Sequence, residues 1–381
     1  MAGMAALELS IPELCGQLIV GGFDGTTLPE EVRRAIYRGH RAGVILFKRN
    51  LAEDPERALY EVAELNRRIL EAAPPESPPF IAVDQEGGRV ARLKGPFLPL
   101  PPMRRLGLED DPALTLEVAR ELGRELHCLG FNLDFAPIFD VDSNPDNPII
   151  GDRAFGRDPR TVMRHGVAFV RGLQAEGVLA CAKHFPGHGD TSVDSHLDLP
   201  FVEHDKQRLN ALELPPFRAA SGAGVASMMT AHVVYRALDP GVPATFSHAI
   251  CTTLLRDQIG FDGALFSDDL EMGAVMKHGS IEDGAVLAVE AGCDVLLVCR
   301  DLARQERAHA ALVKKAEADT RFRDRCREAA ARSLRLRRLS PPSPAPDSVA
   351  IRATIESEVA LGLRERLAAL PAHESSLPPL H

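Results

Sequence analysis

The sequence predicts a (β/α)8 barrel, in which eight parallel strands close into a ring and helices surround it. Short apolar runs alternate with longer helical patterns, eight such runs can be counted, and polar side chains follow many of them. Such a barrel takes ~250 residues plus insertions. The chain has 381 residues, which is enough. The alternative, an open doubly wound sheet, concentrates its ligand groups at one switch point, so polar strand ends spread along the chain favour the barrel.

The predicted strands are short runs rich in apolar or β-branched residues, bounded by turn-forming residues. Several of them end in a charged or imidazole side chain, which in a barrel would bring these groups together at one mouth. The strands are predicted at Gln17–Gly22, Gly43–Lys48, Phe80–Asp84, Asn132–Pro137, Val178–His184, Ser227–Val233, Gly263–Asp268 and Asp294–Cys299.

The helices between the strands have recognisable starts. Asp54, Asp111 and Asp158 each precede a proline. This order is typical of a helix start, because the aspartate caps the first turn and the missing N–H of the proline costs nothing there. Apolar side chains then recur at helical spacing and form one stripe behind Asp111 (Leu114, Val118, Leu122 and Leu126) and another behind Asp158 (Met163, Val167 and Val170). We therefore expect helices packed on a sheet.

Composition indicates a globular protein with neither nucleic acid nor membrane as a partner. Apolar residues make up 45% of the chain, which supports a substantial core. The formal charge of −10 would repel nucleic acid and anionic membranes. No apolar run reaches the ~18 residues of a membrane span.

Two features predict a cytoplasmic protein. The seven cysteines are scattered and form no Cys-x-x-Cys pair, which suits a reducing compartment better than a disulfide framework. The N-terminal stretch is interrupted by Glu8, Pro12 and Glu13, so it does not resemble a secretory leader.

The C-terminal end differs in composition from the rest. Residues 340–346 read Ser-Pro-Pro-Ser-Pro-Ala-Pro, which is typical of an extended linker. The stretch from Ile351 to Leu370 could form one short amphipathic helix. We therefore predict a single catalytic domain at residues 1–340 and a proline-rich tail at residues 341–381 that is only an appendage.

The most unusual stretch is Lys-His-Phe-Pro-Gly-His-Gly-Asp-Thr-Ser-Val-Asp-Ser-His, residues 183–196. It directly follows a predicted strand, and its proline and glycines exclude a helix. We therefore expect a loop at the mouth of the barrel, where catalytic groups tend to sit.

Three interpretations of this loop compete. His184, His188 and His196 with Asp190 or Asp194 could bind a divalent metal, although no helix presents the first two on one face as in His-Glu-x-x-His. The histidines could instead be structural, bonded to backbone groups. The third interpretation, which we favour, is acid–base catalysis, in which Asp194 orients the imidazole of His196 and raises its basicity.

Other predicted strand ends carry candidate residues as well. Asp268 ends a strand within Ser-Asp-Asp, where it could act in catalysis or cap the next helix. Asp84 precedes paired glycines that would let a ligand approach the backbone, or it lies in a turn with solvated charges. Arg153 lies in a glycine-bounded loop, where a surface salt bridge is the simpler explanation.

Five motifs together identify a family resemblance: KHFPGHGDTSVDSH (183–196), FSDDLEM (266–272), AVDQEGGRVARL (82–93), GVILFKRN (43–50) and IIGDRAFG (149–156). They resemble the glycoside hydrolase family 3 β-N-acetylhexosaminidases over most of residues 10–340. The resemblance implies one (β/α)8 domain that removes terminal β-linked N-acetylglucosamine with retention. It further implies a cytoplasmic role in recycling peptidoglycan fragments, with a small carbohydrate as substrate and no metal or cofactor.

The resemblance also implies roles for individual residues. Asp268 matches the nucleophile, His196 the acid/base, and Asp194 its partner. Most retaining glycosidases use two carboxyl groups, and here a histidine would take the second role. Five further residues match sugar-binding positions: Asp84, Arg92, Arg153, Lys183 and His184.

Three rival functions stay open at this point. A phosphorylase would use the same glycosyl-enzyme with phosphate in place of water. A family 3 β-glucosidase is the second rival, although such members generally add a second domain and lack the Asp-x-His of residues 194–196. A catalytically silent sugar-binding protein belongs to a different functional class. The absence of Trp and the presence of only three Tyr favour a pocket for one terminal sugar over an extended groove.

Overall fold

The computed structural model describes residues 9–191, 200–276 and 279–371. Eight parallel strands form a closed barrel in chain order, with the last strand paired to the first. All eight predicted strands are confirmed, and so is the barrel. The strands are β1 (Ile19–Gly21), β2 (Gly43–Leu46), β3 (Phe80–Val83), β4 (Leu133–Asp134), β5 (Leu179–Phe185), β6 (Ser227–Thr230), β7 (Ala264–Asp269) and β8 (Val295–Val298).

The helices begin where the capping pattern predicts. Asp54 accepts a hydrogen bond from the Arg57 amide, and Asp111 and Asp158 cap their helices in the same way. The α-helices are α1 (Ile11–Gly16), α2 (Glu30–Tyr37), α3 (Pro55–Ala72), α4 (Met103–Glu109), α5 (Pro112–Cys128), α6 (Pro159–Ala175), α7 (Lys206–Ala211), α8 (Leu214–Gly222), α9 (Gly273–Met276), α10 (Ile281–Ala291), α11 (Leu302–Ala318), α12 (Thr320–Leu339), α13 (Ser348–Ile355) and α14 (Glu358–Ala368). A π-helix, Ala249–Gln258, lies between β6 and β7. No helix in the described part of the chain is long and apolar enough to cross a membrane.

Two large apolar clusters form most of the core, and a third, small one lies in the segment after β4. One lies inside the barrel, where the rings of Phe80 and Phe135 pack edge-on against Phe266 with centroids 5.5 and 5.3 Å away. The other lies between the strands and the surrounding helices. Because side chains fill the barrel interior, a ligand can enter only at the ends of the strands.

Buried charges close the amino-terminal end of the barrel. Asp294, which precedes β8, accepts bonds from three arginines on the outer elements (Arg256, Arg325 and Arg332). Arg337 of α12 is buried and donates to the carbonyl oxygens of Ala42 and Pro78, next to the starts of β2 and β3. These groups form a floor of buried charges at the end of the barrel opposite to the carboxyl ends of the strands.

The C-terminal segment packs on the barrel domain. Two helices, α13 and α14, are present where one was predicted, and both contact α5. Their inward side chains are buried in the core cluster (Ile351, Ile355, Leu363 and Leu367). The Arg366 guanidinium also pairs with Glu117. The division of the chain at residue 340 stays a prediction, but residues 348–371 make extensive contacts with α5.

Removal of residues 341–381 is expected to lower thermal stability while leaving turnover in place, because its described part, residues 341–371, buries several aliphatic side chains and contributes none to the cavity described below. Burial of one such aliphatic side chain contributes about 1.5–3 kcal/mol to the free energy of unfolding. Thermal unfolding and activity of the truncated chain test this. In the full chain, Leu363→Ala should cost about 2–5 kcal/mol. The matched change Leu361→Ala, on the exposed face of the same helix, should cost little. A stable but inactive truncation would contradict the prediction.

Candidate active site

A cavity of about 380 Å³ lies at the carboxyl end of the barrel. Its size falls within the range of small-ligand pockets. It is lined by side chains at or after the ends of β2, β3, β5, β7 and β8, and by the segment that follows β4. Six of the predicted site residues line it: Asp84, Arg92, Arg153, Lys183, His184 and Asp268.

A buried network of charges forms one side of the cavity. The Lys183 ammonium lies 2.9 Å from Asp84 Oδ1 and 2.6 Å from Glu86 Oε1. The Arg153 guanidinium donates to both oxygens of Glu86, from Nε and Nη2, each at 2.9 Å. Such a two-point contact fixes the plane of the guanidinium. The network therefore joins three segments: β5, the turn at Gly151–Arg153, and the hairpin after β3, in which Gln85–Gly87 pairs with Val90–Ala91.

The surroundings of Glu86, Arg153 and Lys183 favour their charged forms. Burial by itself would raise the pKa of Glu86, but Arg153 and Lys183 hold it well below its usual range. Burial acts against the charge of Lys183 as well, and Asp84 and Glu86 outweigh it and raise the pKa of the ammonium. A charged lysine and arginine are good donors to hydroxyl groups.

Arg92 is placed by Gln85. The Gln85 side-chain oxygen accepts from the backbone amides of Arg92 at 2.7 Å and of Leu93 at 3.0 Å, so it holds the return strand of the hairpin. The Arg92 guanidinium then lies 3.5 Å from Asp84 Oδ2 and 5.6 Å from the ring centroid of Phe47. Asp84, whose side chain is 14% exposed, is therefore held between Lys183 and Arg92 and keeps access to the cavity.

His184 is oriented by a buried carboxylate. Asp140 Oδ2 lies 2.7 Å from His184 Nδ1, and Oδ1 accepts from the backbone amide of His188 at 2.6 Å. Burial would raise the pKa of Asp140, but the His184 charge and these hydrogen bonds lower it. An ionised carboxylate only accepts, so Nδ1 carries a proton and Nε2 is the ring nitrogen left for a ligand.

Asp268 and its neighbour Asp269 differ in their surroundings. Burial raises the pKa of Asp268, but His232, His184 and the Asp269 backbone amide, which donates to Oδ1 at 2.8 Å, outweigh burial and lower the pKa. Burial raises the pKa of Asp269 to about 7. Asp269 Oδ1 also accepts from the backbone amides of Glu271 at 3.0 Å and Cys299 at 3.2 Å. Of the two, Asp268 is therefore the ionised carboxylate available for attack.

The candidate metal ligands are divided between different places. His184 and His188 line the cavity, and the His188 Nδ1 atom lies 2.8 Å from the Thr191 hydroxyl. Asp190 pairs with His204 and Arg208 and is not among the residues that line the cavity. Within residues 9–191, 200–276 and 279–371, no group of three or more His, Cys, Asp or Glu could hold a metal ion. Asp194 and His196 lie outside the described residues.

Sequence reasoning missed Glu86 as part of the site and Asp140 as the partner of His184. Glu86 is two positions after Asp84, and the period of two along an extended chain could have placed it on the same face. Nothing in the local sequence indicates that Asp140 reaches back to His184, because that contact joins segments 44 residues apart.

Comparisons with known proteins agree with this geometry. The family model "Glycosyl hydrolase family 3 N terminal domain" matches residues 10–336. The chain belongs to glycosyl hydrolase family 3. This confirms the family predicted from the five motifs, and with it the prediction of a glycoside hydrolase.

Named relatives in the family are close. A beta-hexosaminidase of Nitrosomonas eutropha is 41% identical over 283 residues, which cover 73% of this chain and 79% of the relative. The structure of a family 3 beta-N-acetylglucosaminidase from a Paenibacillus species has a TM-score of 0.87 and 39% identity, covering 94% of this chain and 68% of that one. The structure of NagZ from Neisseria gonorrhoeae in complex with N-trifluoroacetyl-D-glucosamine has a TM-score of 0.76 and 32% identity, and the match covers 93% of this chain and 97% of that one.

Proposed function

We propose that this family 3 hydrolase is a retaining exo-β-N-acetylglucosaminidase, which removes terminal non-reducing N-acetylglucosamine through a covalent intermediate on Asp268. The observation that carries the proposal is that Asp268 lines one small cavity together with the charged hydrogen-bonding groups of Lys183 and Arg153. The names of the relatives, beta-hexosaminidase and beta-N-acetylglucosaminidase, support the choice of sugar.

In the proposed reaction, Asp268 attacks the anomeric carbon and the bond to the leaving oxygen breaks. His196 donates its proton to that oxygen, and Asp194 orients the imidazole. His196 then takes a proton from water, which attacks the same carbon and releases the sugar with its configuration retained. An imidazole titrates near pH ~6.5, so it can serve in both directions near neutrality.

The binding roles follow from the position of each group. We assign Asp84, Arg92, Arg153, Lys183 and His184 to the hydroxyl groups of the terminal sugar, because all five line the cavity. The small volume suits a single terminal ring. The proposed natural substrates are peptidoglycan fragments such as N-acetylglucosaminyl-1,6-anhydro-N-acetylmuramyl peptides, hydrolysed in the cytoplasm.

A panel of aryl β-glycosides, assayed with and without phosphate and chelator, tests this function. Hydrolysis of the N-acetylglucosaminide is expected, at a rate that neither phosphate nor prolonged dialysis against chelator changes. A requirement for phosphate would indicate a phosphorylase, and preference for the glucoside a β-glucosidase. If activity were lost on dialysis against chelator and restored by zinc, the metal interpretation would be favoured. Sugar binding without any turnover would indicate a silent binding protein.

A further inference from the structure

We propose that Glu86 is a positioning residue that holds Lys183 and Arg153 ready to bind the terminal sugar. The inference rests on the proposed function and adds a residue that the family motifs left without a role. Glu86 does not itself take part in bond breaking.

The contacts of Glu86 join three separate segments of the chain. Glu86 belongs to the short strand Gln85–Gly87 after β3, Lys183 to β5, and Arg153 to the turn Gly151–Arg153. Both carboxylate oxygens are occupied, Oε1 by Lys183 and Arg153 together and Oε2 by Arg153 Nε. The side chain is only 2% exposed, whereas that of Asp84 is 14% exposed. Both carboxylates line the cavity, and Asp84 is the more exposed of the two, whereas both oxygens of Glu86 are taken up by the two cations.

The two cations need a buried carboxylate between them. Lys183 and Arg153 have side chains only 4% and 7% exposed, and the charge of Arg153 acts against protonation of Lys183. Without Glu86, Arg153 would lose its hydrogen-bonded carboxylate, and Lys183 would keep only Asp84 against the repulsion of the guanidinium. Because Glu86 bridges the two cations, the donors are fixed before any ligand arrives, which lowers the cost of binding.

The backbone around Glu86 fixes its position. Gly87 and Gly88 have φ values of 110° and 55°, which residues with a side chain rarely adopt. A Cβ atom on Gly87 would lie 2.5 Å from the Pro101 carbonyl oxygen, and one on Gly88 would lie 2.9 Å from Pro102 Cγ. The hairpin is therefore held tightly against residues 100–102, and Glu86 has little freedom to follow its partners.

Glu86→Gln tests the proposal, with kcat/KM on an aryl β-N-acetylglucosaminide and the Kd of free N-acetylglucosamine as readouts. The amide keeps the shape but loses the charge, so kcat/KM should fall ~100-fold and the sugar should bind more weakly. Glu86→Asp keeps the charge on a shorter side chain, so its kcat/KM and Kd should lie between those of the wild type and those of Glu86→Gln. Wild-type kcat/KM and Kd in the glutamine variant would overturn the proposal.

Asp294→Asn is the matched control. Asp294 is also a fully buried carboxylate that holds arginines, but it lies at the floor of the barrel. This variant should lose stability without a change in kcat/KM. If Glu86→Gln does not fold, Glu86→Asp decides the matter, because a folded Glu86→Asp variant with wild-type kcat/KM would show that Glu86 is purely structural.

A double-mutant cycle with Lys183→Met shows whether Glu86 acts through the lysine. The double variant is expected to lose less than the product of the two single losses, since the lysine that Glu86 positions is already absent while its contact with Arg153 remains. If the loss of kcat/KM in the double variant equalled the product of the losses in the two single variants, Glu86 would not act through Lys183. Failure of the proposed function is distinguishable, because the wild-type chain would then not hydrolyse the aryl N-acetylglucosaminide at all.

Discussion

Asp268→Ala should be inactive on every substrate, with kcat reduced roughly 10⁴–10⁶-fold, as for other nucleophiles of covalent catalysis. Two other carboxylates of the described cavity, Asp84 and Glu86, are paired with Lys183. Asp269 is adjacent in sequence, but burial raises its pKa to about 7 and two backbone amides hold its Oδ1. Asp269→Asn is therefore the matched control, and it should retain far more activity.

Covalent labelling identifies the nucleophile directly. A fluorosugar that forms the intermediate quickly and releases it slowly should add one sugar mass to the peptide containing Asp268. Because Asp268 and Asp269 are adjacent, fragmentation of that peptide must separate them. A label on Asp269, or no label on an active enzyme, would remove Asp268 from this role.

His196→Ala should lose ~10²–10⁴ in rate on a disaccharide but much less in glycosylation by a nitrophenyl glycoside. A sugar alkoxide is a poor leaving group and needs a proton, whereas a nitrophenolate leaves nearly unaided. Asp194→Ala should show the same dependence less strongly, since the imidazole remains. Both residues are assigned from the sequence motif alone.

Pre-steady-state rates separate the two halves of this reaction. The glycosylation step of His196→Ala should be compared on the disaccharide and on the nitrophenyl glycoside. Asp268→Ala serves as the reference, because its loss should not depend on the leaving group. Equal losses for His196→Ala on both substrates would exclude proton transfer, and His196 would then be reassigned to sugar binding.

The strands and helix starts were predictable because they depend on local chemistry. An aspartate before a proline caps a helix wherever the helix packs, and Asp54, Asp111 and Asp158 all do so. The C-terminal segment was harder. The short apolar pattern of this segment did not predict the break between α13 and α14. It also did not predict that both helices pack on α5, because that packing depends on residues distant in sequence.

The gathering of six predicted residues around one cavity was predictable, but the contacts between them were not. Residues at the ends of different strands meet at one mouth of a barrel, so Asp84, Lys183 and Asp268 could be grouped from sequence. Which group contacts which depends on strand register, and the pairing of β5 with β6 shifts between Lys183 and Phe185. Irregular pairing of this kind can re-aim a side chain, and both Lys183 and His184 line the cavity.

The floor of buried charges at the amino-terminal end has a practical consequence for engineering. Asp294 and Arg337 tie outer helices to the starts of the strands, at the opposite end from Asp268. Heat tolerance and substrate choice can therefore be adjusted in separate libraries, one confined to the floor and the outer helices, the other to the loops around the mouth. Variants from the first library should combine with those from the second without mutual interference, because distant sites act additively.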